Sequence, residues 1–268
     1  MVSGSTQFAT GRTGQARLNR RQSRGRGWHS RGTQRRLIPS PTAPYPSAVD
    51  TTVRAGSRDP TTNVRRSRTV LAVLLIIVSY LLGTFPSAIL IARANGIEIS
   101  TFGSGNPGAS NVTRALGWRK GIWVYILDAL KAGVATGLGL GMGFDWAGTG
   151  RPLAYACAAA AILGHMFPVF RHFKGGKGVA CGSGVIMVLQ PMLGLAIPVV
   201  WWTISKVTGK AAIGSIVTVA LVPLGLALLG RPAWEFVATA GLSALILVKH
   251  WRNFGRLIRR EEPPLRDN

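Results

Sequence analysis

The chain has 268 residues, of which 32 are Lys or Arg and only 9 are Asp or Glu. Apolar residues make up 47% of it, and from Val70 onward they form long runs separated by short, basic, glycine-rich loops. Such runs exclude an ordinary soluble domain and favour a membrane protein, and the excess of positive charge favours anionic partners: nucleic acid, lipid headgroups or phosphorylated substrates.

Residues 1–68 are rich in Arg, Ser, Thr, Gly and Pro and contain few large apolar side chains. Such a segment cannot bury enough apolar surface to offset the loss of chain entropy, so we predict that it is disordered. It also lacks the apolar core that follows the charged region of a signal peptide. Two interpretations remain open: an arm that binds RNA or anionic lipid, and a dispensable extension that precedes the true start.

A helix needs about 20 apolar residues to cross the hydrocarbon core of a membrane. The predicted single crossings are 70–92, 121–144, 153–170, 211–229 and 233–248. One further apolar stretch, 179–204, is interrupted by Gln190-Pro191, and because proline removes a backbone donor, we expect the helix to kink or break there.

The charge of the loops predicts their side of the membrane, because cytoplasmic loops are enriched in Lys and Arg. Three loops are basic: loop one (93–120), loop two (171–178) and loop three (249–260). If loop two and loop three both lie on the cytoplasmic side, an even number of crossings must separate them. The segments 211–229 and 233–248 each cross once, so 179–204 should enter the membrane and return on the same side.

We therefore predict an all-α polytopic membrane protein with about seven transmembrane segments, two of them short or half-spanning. The membrane domain comprises residues 69–262, and residues 263–268 form a cytoplasmic tail.

Loop one contains Gly103, Gly105 and Gly108 at the spacing of the dinucleotide-binding fingerprint, but a membrane span precedes them where that fingerprint needs a strand. What remains is a turn that offers backbone N–H groups, hydroxyls and amides, followed by an arginine with a bidentate fork. This favours phosphate binding, and the alternative is a plain interhelical turn. The candidate residues are Ser104, Asn106, Asn111 and Arg114.

Loop two places two lysines in a flexible turn, which also favours a phosphate or phosphoanhydride ligand. It is not a Walker A motif, because no Ser or Thr follows the second lysine. The alternative is that these lysines only signal topology. The candidate residues are Lys174, Gly175, Gly176, Lys177 and Gly178, and nearby His165 is either functional or a satisfied structural group.

Loop three contains His250 and Asn253, which share one face if the segment is helical. Histidine exchanges a proton near neutral pH, and asparagine can orient a hydroxyl or a phosphate; the alternative is a basic anchor on lipid headgroups.

Within the crossing 121–144, Asp128 and Lys131 are three residues apart and so share one face of the helix. Charges inside a membrane suggest function, although a mutual ion pair is the alternative.

These motifs together resemble the acyl-phosphate:glycerol-3-phosphate acyltransferase family, called PlsY. The resemblance covers about residues 70–262 and is specific because it combines several motifs. They are Tyr80–Gly83, Pro86-Ser87, Gly103–Val112, Asp128 with Lys131, Gly164-His165, Phe167-Pro168, Lys174–Ala180, and His250 with Asn253. The chain departs from the family at Arg260, where glycine is usual, and at Ala212, where serine is usual; Ser215 matches the other serine of that turn.

The resemblance implies a multi-pass enzyme of the bacterial inner membrane with its active site on the cytoplasmic side. Its donor would be a long-chain acyl phosphate, its acceptor glycerol-3-phosphate, and its products lysophosphatidic acid and phosphate. By position, Ser104 and Arg114 would hold the phosphate region of the acceptor, residues 174–178 would bind phosphate, and His250 with Asn253 would complete the site. Asp128, Lys131, His165 and Ser215 would support it.

The acidic residues do not cluster as carboxylate ligands, so we predict no metal, and no redox cofactor is implied. The main alternative function is a membrane transporter for an organic phosphate, since broken helices also occur in transporters. A further alternative is an RNA-binding membrane protein whose functional part is the arginine-rich segment. The enzyme interpretation predicts that no nucleic acid is needed for activity.

Overall fold

A computed structural model describes residues 60–142 and 151–265. The regular secondary structure of these residues is helical, and no strand occurs among them, which confirms the all-α prediction. The helices are α1 (Pro60–Gly83), α2 (Ser87–Arg93), α3 (Ala109–Leu116), α4 (Trp118–Gly141), α5 (Arg151–Met166), α6 (Val179–Leu189), α7 (Pro191–Thr208), α8 (Ala211–Leu228), α9 (Ala233–Val248) and α10 (Trp251–Ile258).

The first helix begins earlier than the sequence analysis predicted. It starts at Pro60, so residues 60–68 are helical, and the prediction of disorder is wrong for them. Proline is tolerated at a helix start, where its missing N–H would have no partner, and the arginines that follow are good helix formers. The rest of that prediction, residues 1–59, lies outside the described residues.

Four segments of the described chain are long and apolar enough to cross a membrane: Asn63–Arg93, Trp118–Gly141, Arg151–Arg171 and Ala211–Leu228. Val179–Leu189 and Ala233–Val248 are shorter apolar helices. The first crossing is not one continuous helix, because α1 ends at Gly83 and α2 begins only after Pro86, whose ring and missing N–H break the helical hydrogen bonds.

The predicted break at Gln190-Pro191 is confirmed: α6 ends at Leu189 and α7 begins at Pro191. The two helices form a hairpin, since a side chain at Gly194 would overlap the backbone of Met187 in the preceding helix. The hairpin brings the start of α6 and the last turns of α7 to the same end of the bundle.

The segment that contains α5 is the most buried of these four long apolar segments. Its buried face consists largely of alanines, and these meet glycines on neighbouring helices. A Cβ at Gly83 would overlap the carbonyl of Ala161, and a Cβ at Gly164 would overlap the carbonyl of Tyr80. Small residues at these contacts therefore let α1 and α5 approach more closely than larger side chains would allow.

A buried ion-pair network joins the bundle where α5 and α9 begin. Glu235 is fully buried and accepts hydrogen bonds from Arg151 (2.6 Å) and Arg231 (2.8 Å). Arg151 also donates to the carbonyl of Leu189 at the end of α6 (3.3 Å). The network ties the turn of the α6–α7 hairpin to α5 and α9.

Candidate active site

A cavity of about 520 Å³ lies at the opposite end, where α5 ends and α6 begins. Residues of all three basic loops line it, together with side chains from α4, α6, α7 and α8. The sequence-predicted residues that line it are Ser104, Asn106, Asn111, Arg114, Asp128, His165, Lys177, Gly178, Ser215, His250 and Asn253.

Loop one is a turn followed by a helix, where the sequence analysis expected only a turn. Helix α3 begins at Ala109, after Pro107-Gly108, and carries Asn111 and Arg114 on one face. The Arg114 guanidinium donates to the side-chain oxygen of Asn111 (3.1 Å) and to the Ser104 hydroxyl (3.3 Å). Loop one therefore presents a guanidinium, a hydroxyl and an amide to the cavity on a fixed scaffold.

Asn111 is itself held by the turn. It is buried, its side-chain nitrogen donates to the carbonyls of Phe102 (2.9 Å) and Ile99 (3.3 Å), and its oxygen accepts the Ser104 N–H (3.2 Å). These bonds fix the amide orientation, so its oxygen faces Arg114.

Loop two contributes one lysine to the cavity. The Lys177 ammonium donates to the side-chain oxygen of Asn253 (2.6 Å). Burial lowers the pKa of Lys177 to about 8; Glu262 opposes this shift, while Arg256 and Arg114 add to it. Arg114 and Lys177 line the same cavity, so the two cations form one site suited to anions.

Loop three supplies His250 and Asn253, both buried at the cavity wall. His250 Nδ1 lies 2.8 Å from the carbonyl of Ile246 and donates to it, which leaves Nε2 as the acceptor nitrogen. Burial is the main cause that lowers the pKa of His250 to about 4, so the ring is neutral near pH 7.

Glu262 also belongs to the site, although it was not among the predicted site residues. Its carboxylate accepts hydrogen bonds from Asn253 (2.8 Å) and Arg256 (2.7 Å), and it is buried at the cavity wall. It thereby orients the amide of Asn253, whose oxygen receives Lys177. In the sequence, Glu261 and Glu262 are two acids at the end of a strongly basic segment.

A sharp turn after α10 brings Glu262 back to that helix. Arg260 N–H donates to Leu257 and Glu261 N–H donates to Arg256, which is the Schellman pattern. Arg260 occupies the left-handed position of this motif, with φ at 61°. Glycine is the residue best suited to that position, so the departure from the family at Arg260 is accommodated with the turn intact.

Helices α7 and α8 close another side of the cavity. Trp201 donates through its indole nitrogen to Ser215 (2.9 Å), and both residues line the cavity. Lys210, at the turn between these helices, donates to the backbone carbonyl of Glu262. These contacts, which the sequence analysis did not identify, attach loop three to α7 and α8.

Beneath loop two lies a buried cluster of Asp128, Lys131 and His165. Lys131 pairs with Asp128 (2.8 Å), so the ion-pair alternative describes these residues, and it also lies 3.0 Å from His165 Nδ1. Gly176 rests directly on the His165 ring, where a Cβ would overlap it, and its N–H donates to the His165 carbonyl (3.1 Å). The cluster thus supports loop two.

Among the described residues, one group has possible metal-ligating atoms close together: Asp128, His165 and Cys181, within 4.8 Å of one another. The Lys131 ammonium contacts both the carboxylate and the imidazole of this group. A metal ion beside that ammonium would be repelled, so the residues present do not fit a metal.

Four predicted residues do not line the large cavity. Lys174 is exposed on the surface of loop two, and Lys131 is held within the buried cluster. Gly175 and Gly176 face a small space beneath the loop that is also lined by His165. Of the two lysines in loop two, Lys177 is therefore the one that can contact a ligand in the cavity.

A sequence model of the family described as Glycerol-3-phosphate acyltransferase matches residues 73–260. Glycerol-3-phosphate acyltransferase 1 of Deinococcus radiodurans is 39% identical over 196 residues, which are 70% of this chain and 93% of that protein. Glycerol-3-phosphate acyltransferase 3 of Bacillus anthracis is 36% identical over 191 residues, 71% and 93% of the two chains.

Two solved structures are also similar. Both are crystal structures of PlsY (YgiH), an integral membrane glycerol 3-phosphate acyltransferase, one in its glycerol 3-phosphate form and one in its lysophosphatidic acid form. Each is 34% identical, and the matches cover 72% of this chain and 94% of that chain, with TM-scores of 0.66 and 0.65.

Proposed function

The chain belongs to the glycerol-3-phosphate acyltransferase family, and on that premise we propose that it transfers a fatty acyl group from an acyl phosphate to glycerol-3-phosphate. The products are lysophosphatidic acid and phosphate, and the reaction is the first acylation of phospholipid synthesis. One observation carries the proposal: Arg114 and Lys177 face one cavity at one end of a membrane bundle. Two cations in one cavity suit two phosphorylated substrates.

The acceptor is assigned to loop one. A guanidinium with a neighbouring hydroxyl and amide suits the phosphate of glycerol-3-phosphate, because arginine binds phosphate through two parallel hydrogen bonds. Arg114 is held beside Ser104 and Asn111, so this group is oriented before the substrate arrives.

The donor phosphate is assigned to Lys177 and the backbone of Gly178. The acceptor hydroxyl attacks the acyl carbon; the new ester bond forms, the bond from that carbon to the phosphate oxygen breaks, and phosphate leaves with the electron pair. An acyl phosphate is a mixed anhydride with a good leaving group, so positioning and charge neutralisation account for most of the catalysis. Lys177 stabilises the negative charge that the departing phosphate gains.

The proton of the hydroxyl has two possible acceptors, His250 Nε2 and the departing phosphate. A general base works best with a pKa near the working pH, and the pKa of His250 is about 4. We therefore assign the departing phosphate to taking the proton of the attacking hydroxyl. The neutral Nε2 of His250 accepts a hydrogen bond from the other hydroxyl of glycerol-3-phosphate and so orients the acceptor.

The protein is integral to a membrane, and we place it in the bacterial inner membrane with the cavity open to the cytoplasm. The loops that line the cavity are the three basic loops, as cytoplasmic loops tend to be. Trp118 and Trp202 also line the cavity, and tryptophan is enriched at the membrane–water interface, where an acyl phosphate would present its headgroup.

The test uses purified protein in lipid nanodiscs with palmitoyl phosphate and labelled glycerol-3-phosphate. We expect labelled lysophosphatidic acid, and a loss of about 100-fold in Arg114→Ala, as for removal of a charged group that binds the transition state. Arg119→Ala is the matched control, because Arg119 lies over Trp118 and does not line the cavity.

Donor choice is tested in the same assay with palmitoyl coenzyme A in place of palmitoyl phosphate. Product from the thioester but not from the phosphate would contradict the proposed donor. Folded protein that binds glycerol-3-phosphate yet forms no product from either donor would favour the transporter alternative.

A further inference from the structure

Helix α10 presents an apolar row to its surroundings. Trp251, Phe254 and Ile258 occur at spacings of three and four and therefore lie on one face. They are 65%, 42% and 83% exposed, while Asn253 on another face is buried in the candidate site. Large apolar side chains that are exposed together on one face indicate an interaction surface.

A cationic face lies beside this apolar row. Arg252 and Arg259 are exposed, seven residues apart on one side of the helix, and the Arg252 guanidinium is 5.4 Å from the Trp251 ring centroid. Arg259 pairs with Glu261 at 2.8 Å in an exposed ion pair, which contributes little by itself. An apolar face beside a cationic face is typical of helices that lie in a membrane interface.

The apolar row also continues the outer surface of the bundle. Val248, at the end of α9, is 66% exposed and lies three residues before Trp251. Because α9 belongs to the apolar bundle, its exposed side faces lipid, and the row on α10 extends that surface toward the headgroups. The occupant that fits both the continuity and the charge is an anionic lipid layer.

We propose that α10 is seated in the headgroup layer of the membrane. Trp251, Phe254 and Ile258 lie among the outer acyl chains, and Arg252 and Arg259 bind anionic lipid phosphates. Since α10 carries Asn253 and directly follows His250, the lipid seat positions loop three. Activity therefore depends on anionic lipid through the geometry of the site.

The proposed position of α10 in the headgroup layer is tested without measuring enzyme turnover. A nitroxide label on Ile258→Cys, in nanodiscs of phosphatidylethanolamine and phosphatidylglycerol, reports access to oxygen and to a water-soluble nickel chelate. The native Cys157 and Cys181 are buried, which restricts labelling to the introduced thiol. We expect oxygen access at Ile258→Cys and chelate access at the control, Arg259→Cys. Chelate access at both positions would overturn the seat.

The coupling to the site is tested by turnover, and this arm alone rests on the proposed function. We expect Trp251→Ser with Ile258→Ser to lower kcat/KM about fivefold in anionic nanodiscs, through loss of positioning. The control, Leu228→Ser, changes an equally exposed residue at the end of α8 and should leave kcat/KM unchanged. Equal activity in the double variant and the wild type would overturn the coupling, and the label positions would still decide the seat.

Discussion

At the scale of residues, the candidate site is a chain of contacts between loop two and loop three. The Lys177 ammonium donates to Asn253, and Asn253 donates to Glu262. Glu262 therefore fixes the amide orientation that leaves an oxygen for the lysine. Burial of Lys177 in this chain of contacts lowers its pKa to about 8, so its charge changes with pH in a range that can be studied by enzyme kinetics.

We expect kcat/KM to fall as the pH rises above about 8, because Lys177, with a pKa of about 8, loses its proton and its positive charge. Phosphate groups titrate near about pH 6 and are fully ionised in this range, so the substrates do not contribute to the decline.

The matched variant is Lys177→Arg. Arginine stays protonated, so this enzyme should be less active yet show no alkaline decline. Profiles of kcat/KM measured from about pH 7 to about pH 10 check this, since kcat/KM reports the free enzyme. The same decline in both enzymes would rule out Lys177 as the titrating group.

The left-handed backbone conformation of Arg260 predicts that substitution of this residue by glycine changes the stability of the protein. A left-handed backbone costs a side-chain-bearing residue about 1–2 kcal/mol relative to glycine, and Arg260 has a φ of 61°. Arg260→Gly should therefore raise the free energy of unfolding by about 1 kcal/mol. Thermal unfolding in detergent measures it, and Arg260→Ala, which removes the charge but keeps a Cβ, should give no such gain.

At the scale of elements, the helices pack through small residues. Gly164 of α5 meets the Tyr80 carbonyl of α1, and Gly184 of α6 meets the Ala129 carbonyl of α4, in each case with no room for a Cβ. These contacts fix the height of α5 and α6 relative to their neighbours. Since loop two joins the ends of these two helices, their packing also positions Lys177.

Gly164→Ala should therefore destabilise the fold by about 1–3 kcal/mol, because a methyl group forces the two helices apart. The matched control is Gly137→Ala in α4, where nothing lies within 4 Å of the added carbon. Thermal unfolding of both variants in the same detergent provides the comparison. Equal midpoints for the two would show that the α1–α5 contact tolerates a larger separation.

At the scale of the whole molecule, the two ends of the bundle differ in kind. One end holds the ion-pair network of Glu235 with two arginines, and the other holds a cavity lined by Arg114 and Lys177. Glu235 is paired with its two arginines, whereas Arg114 and Lys177 line a cavity with room for an anion. This asymmetry suits an enzyme with one access side better than a transporter.

Deletion of residues 1–59 should leave kcat/KM within about twofold of the full chain, because every residue assigned to the site lies outside the deleted segment. The residues that line the cavity lie between Ser104 and Leu265, and α1 begins at Pro60, so this deletion spares every helix named above. Acyl transfer measured with both proteins checks it. Loss of activity on deletion, together with activity of the full chain that depends on added RNA, would support the RNA-binding alternative.

The resemblance to the family came from short local motifs, and most of the site residues predicted from the sequence do line the cavity. Glu262 escaped because its role depends on a turn that normally uses glycine and here uses Arg260. Helix α3 was not predicted because the glycine-rich stretch before it is typical of a turn. Lys174 and Lys177 could not be distinguished because both lie in one flexible loop.

The sequence by itself determined the membrane class, the apolar segments, the break at Gln190-Pro191 and the three basic loops. The length of an apolar run, the position of a proline and the charge of a loop are local properties, so their effects do not depend on how the rest of the chain folds. Only the tertiary structure decided that Lys177 rather than Lys174 faces the cavity, and that Glu262 orients Asn253. Lys177 and Asn253 are 76 residues apart in the chain, and such a contact is set by how the helices pack.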